Sequence, residues 1–222
     1  MKLKNFAAAA ICVAAGVFAA PAMADTITYD ITAFGPSATD LLTALSVKQF
    51  DPSKGILTGI NISYASTVTG QVLLSNSKGV DKQVNIDLSS TMTLELPGGS
   101  VFGTDTKSLF SNDVIAYKKT TDVLAGQGKV VLSASGDLGN SYFSVFTGNG
   151  NVGGTLAVTA VSSADSPSGI TADYTTMASG KGQVTYTFNA APVPEPETYG
   201  MLLLGMGVVA FAAKRKSRSA QA

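Results

Sequence analysis

Between Asp25 and Ala191 the side chains able to do acid–base chemistry are carboxylates, Lys and Tyr. The whole chain has no His and no Trp, its single Cys is Cys12, and its two Arg, Arg215 and Arg218, stand close to Ala222. Without His or Cys in that stretch, Ser-His-Asp and Cys-His nucleophiles cannot be assembled, and zinc, copper and haem lose their usual ligands. A carboxylate pair could still hydrolyse a glycosidic bond. Glu95 is the one Glu in the stretch and falls on the polar side of a regular alternation, where a solvated charge is the ordinary role. Asp105, Asp113, Asp122, Asp137, Asp165 and Asp173 are scattered singly across expected loops. No spacing marks a pair, so no catalytic residue is assigned and the expected class is non-enzymatic.

Oxygen ligands alone suffice for calcium, and Asp105, Asn112 and Asp113, or Asp165 and Asp173, could converge on one. No spacing matches a calcium loop, and turn-initiating Asp is the commoner role, so no metal ligand or cofactor is assigned. Tyr117, Tyr142, Phe143 and Tyr174 lie near expected loops and could serve as aromatic platforms for sugars, although most Tyr keep strand parity and read as core. Nine Lys against thirteen acids leave residues 25–191 near −4, within a chain that is neutral as a whole. A mildly acidic domain without Arg is a poor nucleic-acid binder, so none is expected as a partner. Asn61-Ile62-Ser63 is a permissible glycosylation sequon.

The elements that must carry these residues alternate with period two. Ile27, Tyr29, Ile31 and Ala33 alternate with Thr26, Thr28, Asp30 and Thr32 before Phe34-Gly35-Pro36-Ser37 breaks the run. Asp51-Pro52-Ser53-Lys54-Gly55 has turn chemistry, with Asp to start it, Pro to fix φ and Gly to end it. Ile60, Ile62, Tyr64, Val68, Val72 and Leu74 then share one face, and after a polar loop from Ser75 to Asp81 so do Val84, Ile86, Leu88, Met92, Leu94 and Leu96. Two such runs predict a wide antiparallel hairpin. Between Ser100 and Thr121 the pattern weakens, and Gly103 to Thr106 reads as loop. Further strands are expected over 47–50, 123–134, 142–147, 155–161 and 183–188, with a flexible Gly/Asn turn over 148–154. Nine or ten strands and no required helix predict an all-β fold, an antiparallel β-sandwich of jelly-roll-like kind.

Both ends have a different composition. Lys2 and Lys4, an apolar stretch from Phe6 to Ala20 and Ala22-Met23-Ala24 form a signal peptide over 1–24, cleaved by signal peptidase after Ala24, where Ala22 and Ala24 are the small residues of the site. An uncleaved anchor is the alternative. Residues 192–222 hold Pro194, Glu195 and Pro196, an apolar run from Tyr199 to Ala213, and the basic cluster Lys214, Arg215, Lys216 and Arg218. As a helix, the 15-residue run reaches about 22 Å, less than a hydrocarbon core of about 30 Å. It is a marginal membrane segment whose Lys and Arg would snorkel and hold that end on the cytoplasmic side. The run has no polar face at period 3.6, which sets it apart from an ordinary core helix.

The tripartite order of Pro-Glu-Pro, apolar run and basic tail resembles the PEP-CTERM sorting signal of exopolysaccharide-producing Gram-negative bacteria. That resemblance implies a membrane-embedded exosortase that processes the tail near Pro194, Glu195 and Pro196, with residues 199–213 holding the chain in the membrane until then. The string from Gln49 to Ile60 resembles the choice-of-anchor E domain, and Phe143 to Gly154 is similar to its Gly-rich later part. Together they imply a 25–191 passenger exported across the inner membrane to the cell surface or extracellular matrix. The expected role is structural or adhesive, in the envelope or exopolysaccharide matrix. The alternative is a carbohydrate-binding module whose partner is extracellular polysaccharide.

Overall fold

The computed structural model describes residues 24–191 and 196–219. Eight strands run in chain order: β1 (Ala24–Ala38), β2 (Leu41–Lys48), β3 (Gly55–Asn76), β4 (Lys82–Glu95), β5 (Val101–Ala116), β6 (Thr120–Asp137), β7 (Asn151–Asp165) and β8 (Ile170–Ala190). A four-residue helix α1 (Phe143–Phe146) precedes β7, and α2 (Pro196–Ser219) follows β8. The strands form two four-stranded antiparallel sheets, ordered β1-β8-β3-β6 and β2-β7-β4-β5. The described chain from Ala24 to Ala191 is thus a β-sandwich.

Alternation decides which face of each strand goes inside. Along β4 every second residue from Val84 to Leu94 is buried, and β3 keeps the same rhythm from Ile60 to Leu74. The runs 60–74 and 84–96 are not a hairpin, as their patterns suggested. β3 pairs with β8 and β6, while β4 pairs with β7 and β5. A hairpin would leave both apolar faces on one side with nothing of equal length to cover them. As an arch from one sheet to the other, each covers its counterpart. Pairing in fact joins β4 to β5 through Pro97-Gly98-Gly99, where Gly98 and Gly99 adopt positive φ.

Other expectations are corrected by position. Gly103 to Thr106 is strand, because β5 is an edge strand and has less need to alternate. The strand expected over 47–50 instead begins at Leu41 and ends at Lys48 as β2, and Phe50 makes only an isolated bridge to Thr147. Asn140–Tyr142 is a 3-10 turn and Phe143–Phe146 a helical one, so 142–147 is not a strand. Only Phe146 of that turn is buried, as a plug for the end of the sandwich. β1 passes through Phe34 to Ser37 by shifting register twice against β8. The Asp51 turn holds, as a 3-10 turn with Pro at its start and the Asp51 carboxylate accepting from Ser53 N–H at 2.9 Å.

The core has two ends. One centres on Phe50, Tyr64, Leu132, Leu156 and Tyr186, the other on Val72, Val84, Ile86, Leu88 and Phe110. Between them sits Gly70, where a Cβ would stand 2.3 Å from Leu88 Cδ2, so the sheets meet closely there only because no side chain intervenes. Ala24 pairs with Asn189 and Gly55 with Ala190. The first strand therefore starts, and the last one ends, at the same pole of the sandwich. This proximal pole also carries the links 49–54, 96–100 and 138–150. The links 77–81, 117–119 and 166–169 form the distal pole.

Candidate functional site

Strand β8 delivers the tail, and its end is held by aromatic packing. Val184, Tyr186 and Phe188 alternate into the core. Phe50 lies 5.1 Å from Phe188 and 5.9 Å from Tyr186, centroid to centroid, while Tyr29 and Phe146 reach the Tyr186 ring at 6.0 and 6.4 Å. The Tyr186 hydroxyl donates to Lys48 C=O at 2.9 Å, and burial pushes its pKa well above the ordinary phenol value. The last tie to the sandwich is Ala191 N–H to Lys54 C=O at 3.2 Å.

Four residues, 192–195, lie in sequence between this tie and α2. Pro196 opens α2, where a missing N–H costs nothing. Met201, Leu202, Leu203, Leu204, Met206, Val208, Val209 and Phe211 are each more than 60% exposed. Three successive leucines point in three directions around a helix, so this segment has no polar side and buries none of its apolar surface against the sandwich. Among the described residues no helix is long and apolar enough to cross a membrane.

The predicted sorting residues fall as follows. Pro196 is the first residue of α2, and Lys214, Arg215, Lys216 and Arg218 lie within its last two turns. Pro194, Glu195 and Ala22 lie outside the described residues. Ala24 is the first residue of β1. The helix extends beyond the expected 199–213 at both ends.

The passenger's carboxylates do not converge. Asp105, Asp113, Asp122 and Asp173 are in strands rather than loops, and Asp137 and Asp165 end strands. Each of several bonds a neutral donor nearby: Asp137 takes Asn61 Nδ2 at 2.7 Å, Asp113 takes Asn85 Nδ2 at 3.1 Å, and Glu95 takes Thr155 Oγ1 at 2.7 Å. Among the described residues no three of His, Cys, Asp and Glu come together. Asp105 instead closes the seam between the sheets. Its carboxylate accepts from Ser133 N–H at 2.9 Å on the free edge of β6 and pairs with Lys107 at 3.3 Å. Lys107 in turn donates to Val131 C=O at 2.6 Å. The Ser133 bond, with help from Lys107 and against some desolvation, holds the Asp105 pKa below the usual carboxylate range.

The aromatic platforms are dispersed too. Tyr174 stacks on Phe110 with an interplanar angle of 9° and donates its hydroxyl to Ser163 C=O. Tyr142 and Phe143 pack against the core at the proximal pole. Of these four, Tyr117 offers a free ring, 59% exposed at the distal pole. Sequence reasoning missed what surrounds it. Lys78 and Lys82, from a link and the start of β4, meet Lys118 and Lys119 from a link far along the chain. The β3–β6 and β4–β5 pairings, Asn76 with Thr120 and Lys82 with Ala116, bring them together, and net charge conceals them.

Comparison with known proteins identifies one segment. Residues 192–216 match the PEP-CTERM protein-sorting motif. The match covers the tail and not the sandwich, and it implies an exosortase-targeted C-terminal sorting signal on a secreted protein. No curated protein matches the sequence. Among solved structures, the infectious bursal disease virus Gx strain is similar at 14% identity and TM-score 0.25, over 76% of this chain and 36% of that one. The T13 particle of that virus is similar at 14% identity and TM-score 0.16, over 78% and 40%. The chain spans well under half the length of these viral chains, and likeness at such scores carries no argument.

Proposed function

We propose that this chain is a secreted, surface-sorted structural or adhesive protein of the bacterial envelope or exopolysaccharide matrix. Its sandwich is the displayed part and its tail is the exosortase substrate. One observation carries the reading: the matched sorting motif begins one residue after the last hydrogen-bonded residue of a sandwich whose core is complete without it. The bare apolar surface of Gly200–Phe211 supports transient membrane attachment through 199–213, with the basic tail holding the cytoplasmic side. Signal peptidase removes 1–24, a cut that falls just after the first residue of β1, Ala24, and leaves Asp25 to pair with Phe188. The passenger is not an enzyme in this reading, since its carboxylates serve strands and seams.

The finer architecture belongs to the same proposal. Strand orders 1-8-3-6 and 2-7-4-5 support a jelly roll, eight strands wound as paired ribbons. The two stretches that carry the choice-of-anchor E resemblance also meet in space. Phe50 N–H donates to Phe146 C=O at 2.8 Å, and Gln49 bonds both Val145 C=O and Gly150 N–H through its side chain.

The test is mass spectrometry of the protein from wild-type cells and from cells lacking the exosortase. The expected wild-type product starts at Asp25, ends near Pro194–Pro196 and is found in the surface or matrix fraction. The mutant cells retain the tail. A wild-type surface form that still carries Lys214 to Ala222 defeats the processing claim. A carbohydrate-binding role is the second reading, favoured by the exposed ring of Tyr117 beside lysines that have no acidic partner among the described residues.

A further inference from the structure

We propose that the distal pole is a binding surface for a carboxylate-bearing polysaccharide. The proposal rests on the matrix reading above and names the partner. Residues 77–82, 117–122 and 166–169 make up this tip with the strand ends beside them. With Asp165 at the end of β7 counted, Lys78, Lys82, Lys118 and Lys119 stand there against Asp81, Asp122 and Asp165, so the tip is near +1 while the rest of 25–191 is near −5. Lys78, Lys118 and Lys119 are exposed and Lys82 is half-buried. Among the described residues the ion pair formed is Lys107 with Asp105, so none of the four has an acidic partner within 4 Å. Asp81 is occupied by Lys118 backbone N–H at 2.8 Å and Asp122 by the Ser75 hydroxyl at 3.0 Å.

The tip is braced rather than loose. Asn76 is wholly buried and uses its full amide: Nδ2 donates to Ala116 C=O at 2.8 Å and to Val80 C=O at 3.0 Å, and Oδ1 accepts from Lys78 N–H at 2.8 Å. One side chain thus fixes both lysine-bearing links. Lys119 N–H to Lys78 C=O at 3.1 Å joins them directly. Lys78 lies over Gly169, whose Cβ would stand 2.3 Å from Lys78 Cε, so the third link is shaped to receive it. A preorganised group of cations loses less entropy on binding than mobile ones.

The exposed ring of Tyr117, rather than the lysines, favours a sugar polymer over a phosphate polymer. Residues 25–191 contain no Arg, whose planar fork suits carboxylate and phosphate alike. Lysine supplies point charges, adequate for singly charged carboxylates spaced along a chain. Tyr117 adds a flat exposed ring for the apolar face of a sugar, next to Lys118. The position suits the task, since the tail leaves from the opposite pole and the tip faces away from whatever holds the tail.

The experiment measures retention of the full chain, in detergent, on immobilised polygalacturonate, neutral dextran and duplex DNA. K78Q/K82Q/K118Q/K119Q is compared with K48Q/K54Q/K129Q/K181Q, which removes the same charge elsewhere and keeps the basic tail. Wild type is expected to bind polygalacturonate, with loss by about 0.5 M NaCl. The tip variant should weaken about tenfold or more, and the control variant by less than about twofold. Thermal melting of both variants, unchanged from wild type, shows that folding is intact. Equal weakening of the two variants, equal retention on dextran, or DNA binding as strong as polygalacturonate binding overturns the proposal. Processing and surface location are read separately, so a failed tip leaves the sorting reading standing.

Discussion

The two most deeply buried tyrosines make opposite predictions for the same substitution. Tyr64 is 1% exposed and its hydroxyl has no hydrogen-bond partner among the described residues. Its burial pushes the pKa up to about 12. A buried hydroxyl left unpaired costs about 1–3 kcal/mol, while the dispersion contacts of one oxygen are worth less than about 1 kcal/mol. Tyr64→Phe should therefore stabilise the sandwich by about 1 kcal/mol. With an unfolding entropy of about 2.1 cal/mol/K per residue, 167 residues give about 0.35 kcal/mol/K, so Tm should rise by about 3 °C. Tyr186→Phe instead removes a 2.9 Å bond and leaves Lys48 C=O without that donor, a loss of about 1–2 kcal/mol and a fall of about 3–6 °C. The assay is thermal unfolding of the full chain in detergent, followed by near-UV circular dichroism. A fall of more than about 2 °C for Tyr64→Phe would mean that its hydroxyl is satisfied, and the reasoning fails.

The seam and the glycines give two further expectations. Because the Asp105 pKa is lowered in the folded chain, its contribution is present above the unfolded value of about 3.9 and is lost as pH falls through the folded one. Asp105→Ala should lower Tm by no more than about 2 °C at pH 7, solvent screening keeping the effect small, and the Tm curves of variant and wild type should converge as pH falls through the lowered Asp105 pKa. Gly182→Ala places a Cβ 2.3 Å from Tyr64 Cδ2 and 2.7 Å from Ser63 C=O, backbone that cannot swing away. Destabilisation of about 2 kcal/mol or more is expected in denaturant unfolding, whereas Gly35→Ala, with no atom within 4 Å of its Cβ, should stay within about 0.5 kcal/mol of wild type.

Legibility in this sequence follows the range of the interaction. The inward faces of β3 and β4 were readable because period two is a property of a single strand. Their partners were not, because an arch and a hairpin bury the same residues and differ only in which strands fill the remaining edges. The strand over 101–116 was hidden for a related reason, since an edge strand answers to one neighbour and tolerates Gly103, Thr104 and Asp105 in sequence. The helical turn at Phe143–Phe146 looked like strand because a single buried Phe146 in a short apolar stretch has no period to measure.

Function divides along the same line. The sorting tail is linear, since its prolines, apolar run and basic cluster act in chain order, and it was legible without any fold. The distal lysines are not linear: Lys78 comes from one link and Lys82 from the start of β4, Lys118 and Lys119 come from another link, and a buried Asn76 joins the two links. That asparagine gave no signal, because in sequence Ser75-Asn76-Ser77 is ordinary loop chemistry. Its burial follows from β3 running on to position 76, which places an amide where the two links need two acceptors satisfied and one donor received. A surface assembled this way depends on the whole sandwich, whereas the tail would keep its meaning on any passenger.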